Sequence, residues 1–237
     1  MNIIITGASR GIGKAIAASF AVQGNRLFLC ARDERVLFET VRELQKDHPD
    51  TTINAMRSDL SEKKSVLAFG NWCLQSGVPD ILVNNAGEYM GGGILDEADG
   101  NLERMMAVNL YSAYQLTRIL LPRMIGDKPA DGRSRHIFNI CSIASLRAYA
   151  GGSSYSISKF ALSGFSANLR EELKPHQIKV TGVYPGAVMT DSWKDFDNSG
   201  HRIMEATDIA AMVLAASCLS SQAVVEDIIM RPLLGDL

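Results

Sequence analysis

The chain has 237 residues, 46% of them hydrophobic, and a formal charge of −2 at pH 7. That is enough apolar material for a sizeable core, and α/β chains of this length commonly form one domain. So small a charge gives no general attraction to nucleic acid or to an anionic membrane, and no stretch approaches the ~20 uninterrupted apolar residues of a membrane span.

In chain order, short β-branched runs alternate with longer amphipathic stretches. Asn2–Thr6 reads as a strand and 11–23 as a helix ended by Gly24. A strand at 26–30 precedes a helix at 33–46 that stops before Pro49, and Thr52–Arg57 is a third strand. Ser61 is a candidate N-cap for a helix over 61–76. Ile81–Asn84 is the fourth strand, 101–125 a long helix, 134–141 the fifth strand and 153–174 another long helix. A strand at 179–184, a helix at 208–219 and a strand at Asp227–Met230 complete the pattern. Runs such as Ile3-Ile4-Ile5 and Ile81-Leu82-Val83 are apolar on both faces, as strands of a covered parallel sheet must be. Repeated β-α units with right-handed crossovers predict a single α/β domain over 1–237, a Rossmann-like, doubly wound parallel sheet of about seven strands.

Cys30, Cys73, Cys141 and Cys218 are far apart and form no C-x-x-C pair. Three of them sit in apolar segments, so reduced core thiols are expected, and no metal site. The first strand begins almost at Met1, which leaves no room for a targeting segment, so a soluble cytoplasmic protein is the expectation.

Thr6-Gly7-Ala8-Ser9-Arg10-Gly11-Ile12-Gly13 joins the first strand to the first helix. Glycines allow a tight turn and close approach of the backbone to a pyrophosphate, and the helix behind presents unpaired N–H groups. Gly7, Ser9, Arg10, Gly11, Ile12 and Gly13 are therefore candidates for holding a dinucleotide. Further along, Tyr155 and Lys159 are one helical turn apart, with Ser142 thirteen residues upstream. A free phenol has a pKa of roughly 10; an ammonium group beside one favours the phenolate and makes proton exchange near neutrality feasible. A hydroxyl such as that of Ser142 could hold a carbonyl oxygen against the phenol.

With these motifs the sequence resembles the short-chain dehydrogenase/reductase family over nearly its whole length. The marks run in order: the glycine turn, Asp59-Leu60, Asn84-Asn85-Ala86-Gly87, Asn109, Ser142, Tyr155-x-x-x-Lys159 and Pro185-Gly186-x-x-x-Thr190. The resemblance implies that Asp59 binds the adenine amine with the Leu60 backbone nearby, although alone Asp59 reads as a turn acid at a strand end. It implies that Asn85, Ala86 and Gly87 face the cofactor ribose, and that Pro185, Gly186, Val188 and Thr190 cradle the nicotinamide. It makes Asn109 a residue that kinks its helix and links Lys159 to solvent through water; a plain exposed helix Asn is the alternative. Ser145, Ser153, Ser154, Ser156 and Ser158 read as caps, turn residues or helix-surface groups. Cys141 and Ser145 stand where the family often has Ser and Gly.

The second strand ends in Ala31-Arg32 and carries no acid for the adenosine ribose, whereas Arg32 and Arg10 can pair with a 2′-phosphate. In the family such a basic pair accompanies NADP(H), so NADP(H) is favoured over NAD(H), with Asp33 capping the next helix. The implied activity is NADP(H)-dependent hydride transfer between a carbonyl and an alcohol, with Ser142, Tyr155, Lys159 and Asn109 as the catalytic set. A 3-oxoacyl-carrier-protein reductase is a narrower alternative, for which Arg123, Lys128, Arg133 and Arg135 would supply a basic surface. A catalytically idle NADP(H)-binding regulator is another.

The segment 187–206 is expected to cover a small-molecule carbonyl or alcohol substrate, with Met189, Trp193, Phe196 and Met204 as apolar area or as packing, and His201 as a surface histidine. The family implies a homodimer or homotetramer through the two long helices. Met105, Leu110, Leu116, Phe160 and Phe165 are the interface candidates, and the tail 231–237 is a candidate for a second contact.

Overall fold

The computed structural model describes residues 1–22, 24–127, 129, 132–193 and 196–236. Among them, β1 (Asn2–Thr6), β2 (Arg26–Ala31), β3 (Thr52–Arg57), β4 (Ile81–Asn84), β5 (His136–Ile140), β6 (Lys179–Pro185) and β7 (Asp227–Met230) form one sheet. Every pairing is parallel, in the order β3-β2-β1-β4-β5-β6-β7. The seven-stranded doubly wound sheet expected from the sequence is what forms. The helices are α1 (Gly11–Ala21), α2 (Glu34–Asp47), α3 (Lys63–Gln75), α4 (Asn101–Met106), α5 (Ser112–Gly126), α6 (Ser153–Leu173) and α7 (Ala206–Ser217).

Alternating side chains of each strand feed two cores, which is why the strands are apolar throughout. Ile3, Ile5, Leu27, Leu29 and Val83 pack with Ile16 and Phe20 of α1, Leu37 of α2 and Ile209 of α7. Ile4, Phe28, Leu82, Ile137 and Val180 pack on the opposite face with Phe69 of α3, Leu116 of α5 and Leu169 of α6. Cys30, Cys73 and Cys141 are buried thiols, as expected, and burial pushes Cys30 up to about 12 and Cys141 up to about 11.

Three details differ from the sequence expectation. Ser61 does not cap α3; its N–H and Oγ turn back to the Asp59 carboxylate at 3.1 and 2.7 Å, and the helix starts two residues later behind Glu62. Ser134 and Arg135 precede β5, and the Arg135 side chain is buried, donating to the Pro79 and Met124 carbonyls at 3.0 and 2.7 Å. The long helix over 101–126 is interrupted by a π-helical turn, Ala107–Tyr111. No helix of the described residues is long and apolar enough to cross a membrane.

Because all strands run the same way, the loops after β1, β2, β3, β4, β5 and β6 emerge along one edge of the sheet. β1 lies between β2 and β4, so the crossovers leave it in opposite directions and open a crevice above its C-terminal end. The glycine turn follows β1, Arg32 follows β2, Asp59 follows β3, Asn85 follows β4, Ser142 follows β5 and Gly186 follows β6. Motifs scattered over 180 residues of sequence thus meet at one rim.

Candidate active site

Gly7 and Gly11 adopt φ +65° and +54°, the left-handed region open to glycine. A Cβ on Gly13 would overlap the Gly7 carbonyl oxygen and lie 2.5 Å from Asn85 Nδ2. Arg10 precedes α1 in extended conformation, and no side chain caps the helix, so the first-turn N–H groups face outward. Ala8 N–H donates to the Cys30 carbonyl at 3.0 Å and Thr40 Oγ1 donates to the Ser9 carbonyl at 2.8 Å, which fixes the turn against β2 and α2.

Asn85 closes the other side, donating from Nδ2 to the carbonyls of Thr6 and Gly7 at 2.8 and 3.1 Å. Thr6 Oγ1 accepts from the Asn85 and Ala86 N–H groups, each at 2.9 Å. Asn84 turns inward and donates to Asn139 Oδ1 and Thr117 Oγ1 at 2.8 and 3.2 Å, joining β4 to β5 and α5. Asp59 accepts from Ser61, and Leu60 is buried in the second core. Burial opposes ionisation of Asp59, yet the Ser61 donors, with Arg32 and Arg104, hold its carboxyl below the usual range.

Ser142 opens a 3-10 turn, Ile143–Ser145, and is held by a reciprocal cap. Its Oγ accepts from the Ala144 N–H at 3.1 Å, while its own N–H donates to Ser145 Oγ at 3.2 Å. The Ser142 hydroxyl has no acceptor among the described residues, and Ser142 lines the cleft. Lys159 is buried and donates from Nζ to the Ile140 carbonyl at 2.9 Å, with Nζ 5.8 Å from the centre of the Tyr155 ring. Tyr155 meets Tyr89 edge to face at 5.0 Å. Asn109 sits in the π-helical turn, accepts from the Glu88 N–H at 2.7 Å, and donates to the Glu88 carbonyl and Ser158 Oγ at 3.0 and 2.8 Å. Ser158 donates on to the Tyr155 carbonyl at 2.7 Å; it is a buried link between α6 and the π-helical turn, which corrects its reading as a helix-surface group.

Ser142, Tyr155 and Lys159 line one cleft of about 870 Å³ with Ile12, Asn85, Gly87, Pro185, Gly186, Val188 and Thr190. Gly11 stands against one lining residue, a Cβ there lying 3.1 Å from Thr190 Cγ2. Asn109 lies behind Gly87, whose missing Cβ would be 3.4 Å from Asn109 Oδ1 and 3.5 Å from Lys159 Nζ. The two candidate cations for a 2′-phosphate reach carboxylates across this opening. Arg10 contacts Asp191 and stands 3.9 Å from Asp33, and Arg32 stands 3.7 Å from Glu88. Asp33 does cap α2, accepting from the Val36 N–H at 3.1 Å.

The segment 187–206 carries a short parallel bridge, with Met189 N–H donating to the Met204 carbonyl at 2.8 Å and Met204 N–H to Ala187 at 3.1 Å. Trp193 lines the cleft and meets Phe196 edge to face at 5.5 Å; Lys194 and Asp195 lie outside the described residues. His201 is exposed, as expected.

Tyr89, Arg147, Tyr149, Arg231 and Asp236 also line the cleft; the sequence offers the tail 231–237 only as a second contact between copies and marks none of the other three. Tyr89 and Tyr149 were findable as aromatics beside motif residues; the C-terminal pair had no local signal. The tail folds inward, with Arg231 Nη1 2.9 Å from Asp236 Oδ2 and Arg202 donating to the Gly235 and Asp236 carbonyls at 2.9 and 3.1 Å.

Of the basic residues considered as a carrier-protein surface, Arg135 is buried and Arg123 pairs with Asp127 at 3.0 Å; Lys128 lies outside the described residues. Of the interface candidates, Met105 and Leu116 are core residues of the protomer, while Phe160 is exposed alongside Tyr111, Tyr114 and Ile157.

A family model described as short chain dehydrogenase matches residues 1–199. The chain is 33% identical over 244 residues to a sepiapterin reductase of Chlorobaculum tepidum, covering 99% of this chain and 97% of that protein. It is similar to the crystal structure of a metagenomic short-chain oxidoreductase in complex with NADP, at 33% identity and a TM-score of 0.83, covering 98% and 96% of the two chains. It is also similar to the L-sorbose reductase of Gluconobacter frateurii complexed with NADPH and L-sorbose, at 27% identity and a TM-score of 0.85, covering 97% and 94%.

Proposed function

Because the chain belongs to the short-chain dehydrogenase family, we propose that it is an NADP(H)-dependent oxidoreductase that interconverts a ketone or aldehyde and its alcohol. The observation that carries this reading is the convergence of Ser142, Tyr155 and Lys159 with the glycine turn on one cleft. The hollow left by Gly7 and Gly13, which a Cβ would fill, and the uncapped start of α1 fit a pyrophosphate. Arg10 and Arg32 would hold a 2′-phosphate in exchange for Asp191 and Glu88. Asp59 would meet the adenine, and Pro185, Gly186, Val188 and Thr190 the nicotinamide. When bound, the dinucleotide supplies or accepts hydride at the substrate carbon.

In the reduction direction Ser142 donates to the carbonyl oxygen and orients it. Tyr155 gives its proton to that oxygen as negative charge develops there, and the Lys159 ammonium steadies the phenolate left behind. Asn109, through Glu88 and Ser158, holds the backbone around Lys159 and Tyr155 in register. Proton transfer of this kind contributes on the order of 10²–10⁴ in rate. The segment 187–206, with Trp193 facing inward, acts as the substrate lid. Exposed Tyr111, Tyr114, Ile157 and Phe160 support pairing with a second copy through α5 and α6; light scattering on the purified protein tests it.

Tyr155→Phe tests the reading. Turnover of a carbonyl panel with NADPH is expected to fall at least 10²-fold, with NADPH affinity within about twofold of the parent. Near-normal kcat in the variant would reject the role of Tyr155. Tight NADPH binding by the parent with no oxidation across a broad panel would favour an idle binding protein instead.

A further inference from the structure

Each carboxylate lining the cleft has a cation of this chain against it. Arg104 holds Glu88 at 2.8 and 2.9 Å, and Arg231 holds Asp236 at 2.9 Å. The converse fails for two cations. Lys159 and Arg147 line the same cleft, and neither meets a carboxylate among the described residues. Lys159 is buried and engaged at the Ile140 carbonyl. Arg147 is exposed, and no side-chain hydrogen bond or ion pair among the described residues occupies its guanidinium. In a chain of net charge −2, the lining of the cleft therefore carries an open positive charge at Arg147.

The position of Arg147 is built, because the turn that begins at Ser142 continues into it. The N–H groups of Leu146 and Arg147 both donate to the Ile143 carbonyl, at 2.9 and 3.1 Å. One short segment thus carries the Ser142 hydroxyl at its start and the guanidinium five residues later. Tyr149 follows two residues on. Burial pushes its phenol up, and the charge and hydrogen bond of Tyr89 add to this, so Tyr149 stays a neutral phenol in the lining of the cleft. Aromatic walls displace water and strengthen a charge pair formed between them.

We propose that Arg147 determines specificity by binding a carboxylate carried on the same molecule as the reacting carbonyl, so that the substrate class is oxo acids and their hydroxy acids. The planar guanidinium matches a carboxylate through two parallel N–H donors. This rests on the cleft being the carbonyl-reducing site proposed above.

The test compares phenylglyoxylate with its methyl ester, equal in shape at the ketone and different in charge. The parent is expected to favour the acid by about tenfold or more in kcat/KM, the size of a charge-assisted hydrogen bond. Arg147→Gln is expected to remove that preference, mostly through KM, while activity on the ester stays within about twofold. Arg147→Lys is expected to restore part of it. An ester reduced as well as the acid, or equal losses on both in Arg147→Gln, overturns the proposal. So does a tenfold loss of NADPH affinity in that variant, which would assign Arg147 to the dinucleotide.

A binding arm separates this from failure of the reductase reading. Calorimetry on the NADP⁺ complex of Tyr155→Phe is expected to find benzoate about tenfold tighter than benzamide, and the two alike once Arg147→Gln is added. If that discrimination holds while the parent reduces neither ketone, the anion site stands and the reductase reading falls. If benzoate and benzamide bind alike, the anion site falls whatever the turnover.

Discussion

A methyl group on Gly13 would collide with the Gly7 carbonyl oxygen and press on Asn85 Nδ2, two groups that have no slack because they are bonded to each other. Gly13→Ala is therefore expected to cost about 1–3 kcal/mol, as overpacking does, and to weaken NADPH binding at least tenfold. Gly126→Ala is the control, since nothing lies within 4 Å of its added Cβ; it is expected to leave both thermal unfolding and an NADPH titration near the parent. At this scale the residues proposed to carry the chemistry could be named from sequence because each sits at fixed spacing inside a local motif: the three glycines, Tyr155 with Lys159, and Ser142 after a strand. The walls of the cleft were not. Tyr89, Arg147 and Asp236 come from three separate segments with no periodicity, and only the folded tail and the turn after Ser142 bring them to the same opening.

The element whose placement matters most is α6, since Tyr155 lies in its first turn. Its start is capped by Glu97, from the loop after β4, which accepts from the Ser154 N–H at 2.9 Å and from Ser154 Oγ. Gly92 N–H donating to the Gly151 carbonyl at 2.9 Å docks the same loop. Loss of a cap of this kind costs about 1 kcal/mol. Glu97→Ala is expected to lower the urea midpoint accordingly and to reduce kcat, while Glu97→Gln, which keeps an accepting oxygen, recovers most of both. Unchanged kcat in Glu97→Ala would mean that the cap does not position Tyr155. Helix and strand identities followed from periodicity and from glycine stops. The π-helical turn did not, because a mid-helix Asn109 lowers helix propensity without saying how the chain responds. In the structure the Asn109 side chain in that turn is bonded to Glu88 and Ser158, partners that lie far from it in sequence. The cap was missed for a related reason, since Glu97 and Ser154 are 57 residues apart.

Across the molecule the sheet couples stability to pH through His136 on β5. Its Nε2–H donates to Thr181 Oγ1 at 2.7 Å, because the Thr181 proton is already given to the Val225 carbonyl at 2.6 Å, and Nδ1 has no partner. Burial, with Lys179 nearby, pushes this imidazole down to about 3. The unfolded chain takes up a proton below about pH 6.5, whereas the folded chain does not until near pH 3. Stability is therefore complete above about pH 6.5 and falls as pH drops from there. The His136 share is about 1.4 kcal/mol between pH 7.5 and 5.5. Urea unfolding at the two pH values checks it, and His136→Asn is expected to remove that share of the difference. The parallel sheet of about seven strands was legible from strands apolar on both faces; the order β3-β2-β1-β4-β5-β6-β7, which the sequence reading did not assign, carries the motifs to one rim. The proposed function rests on proton delivery by Tyr155 during hydride transfer, and isotope transfer with the parent and Tyr155→Phe tests it most directly. With NADPH deuterated on the transferring face of C4 and a ketone substrate, mass spectrometry of the alcohol is expected to find one deuterium on the carbinol carbon. Labelled alcohol should form at least 10²-fold more slowly in Tyr155→Phe. Unlabelled alcohol from the parent, or labelled alcohol formed at the parent's rate by the variant, would contradict the account.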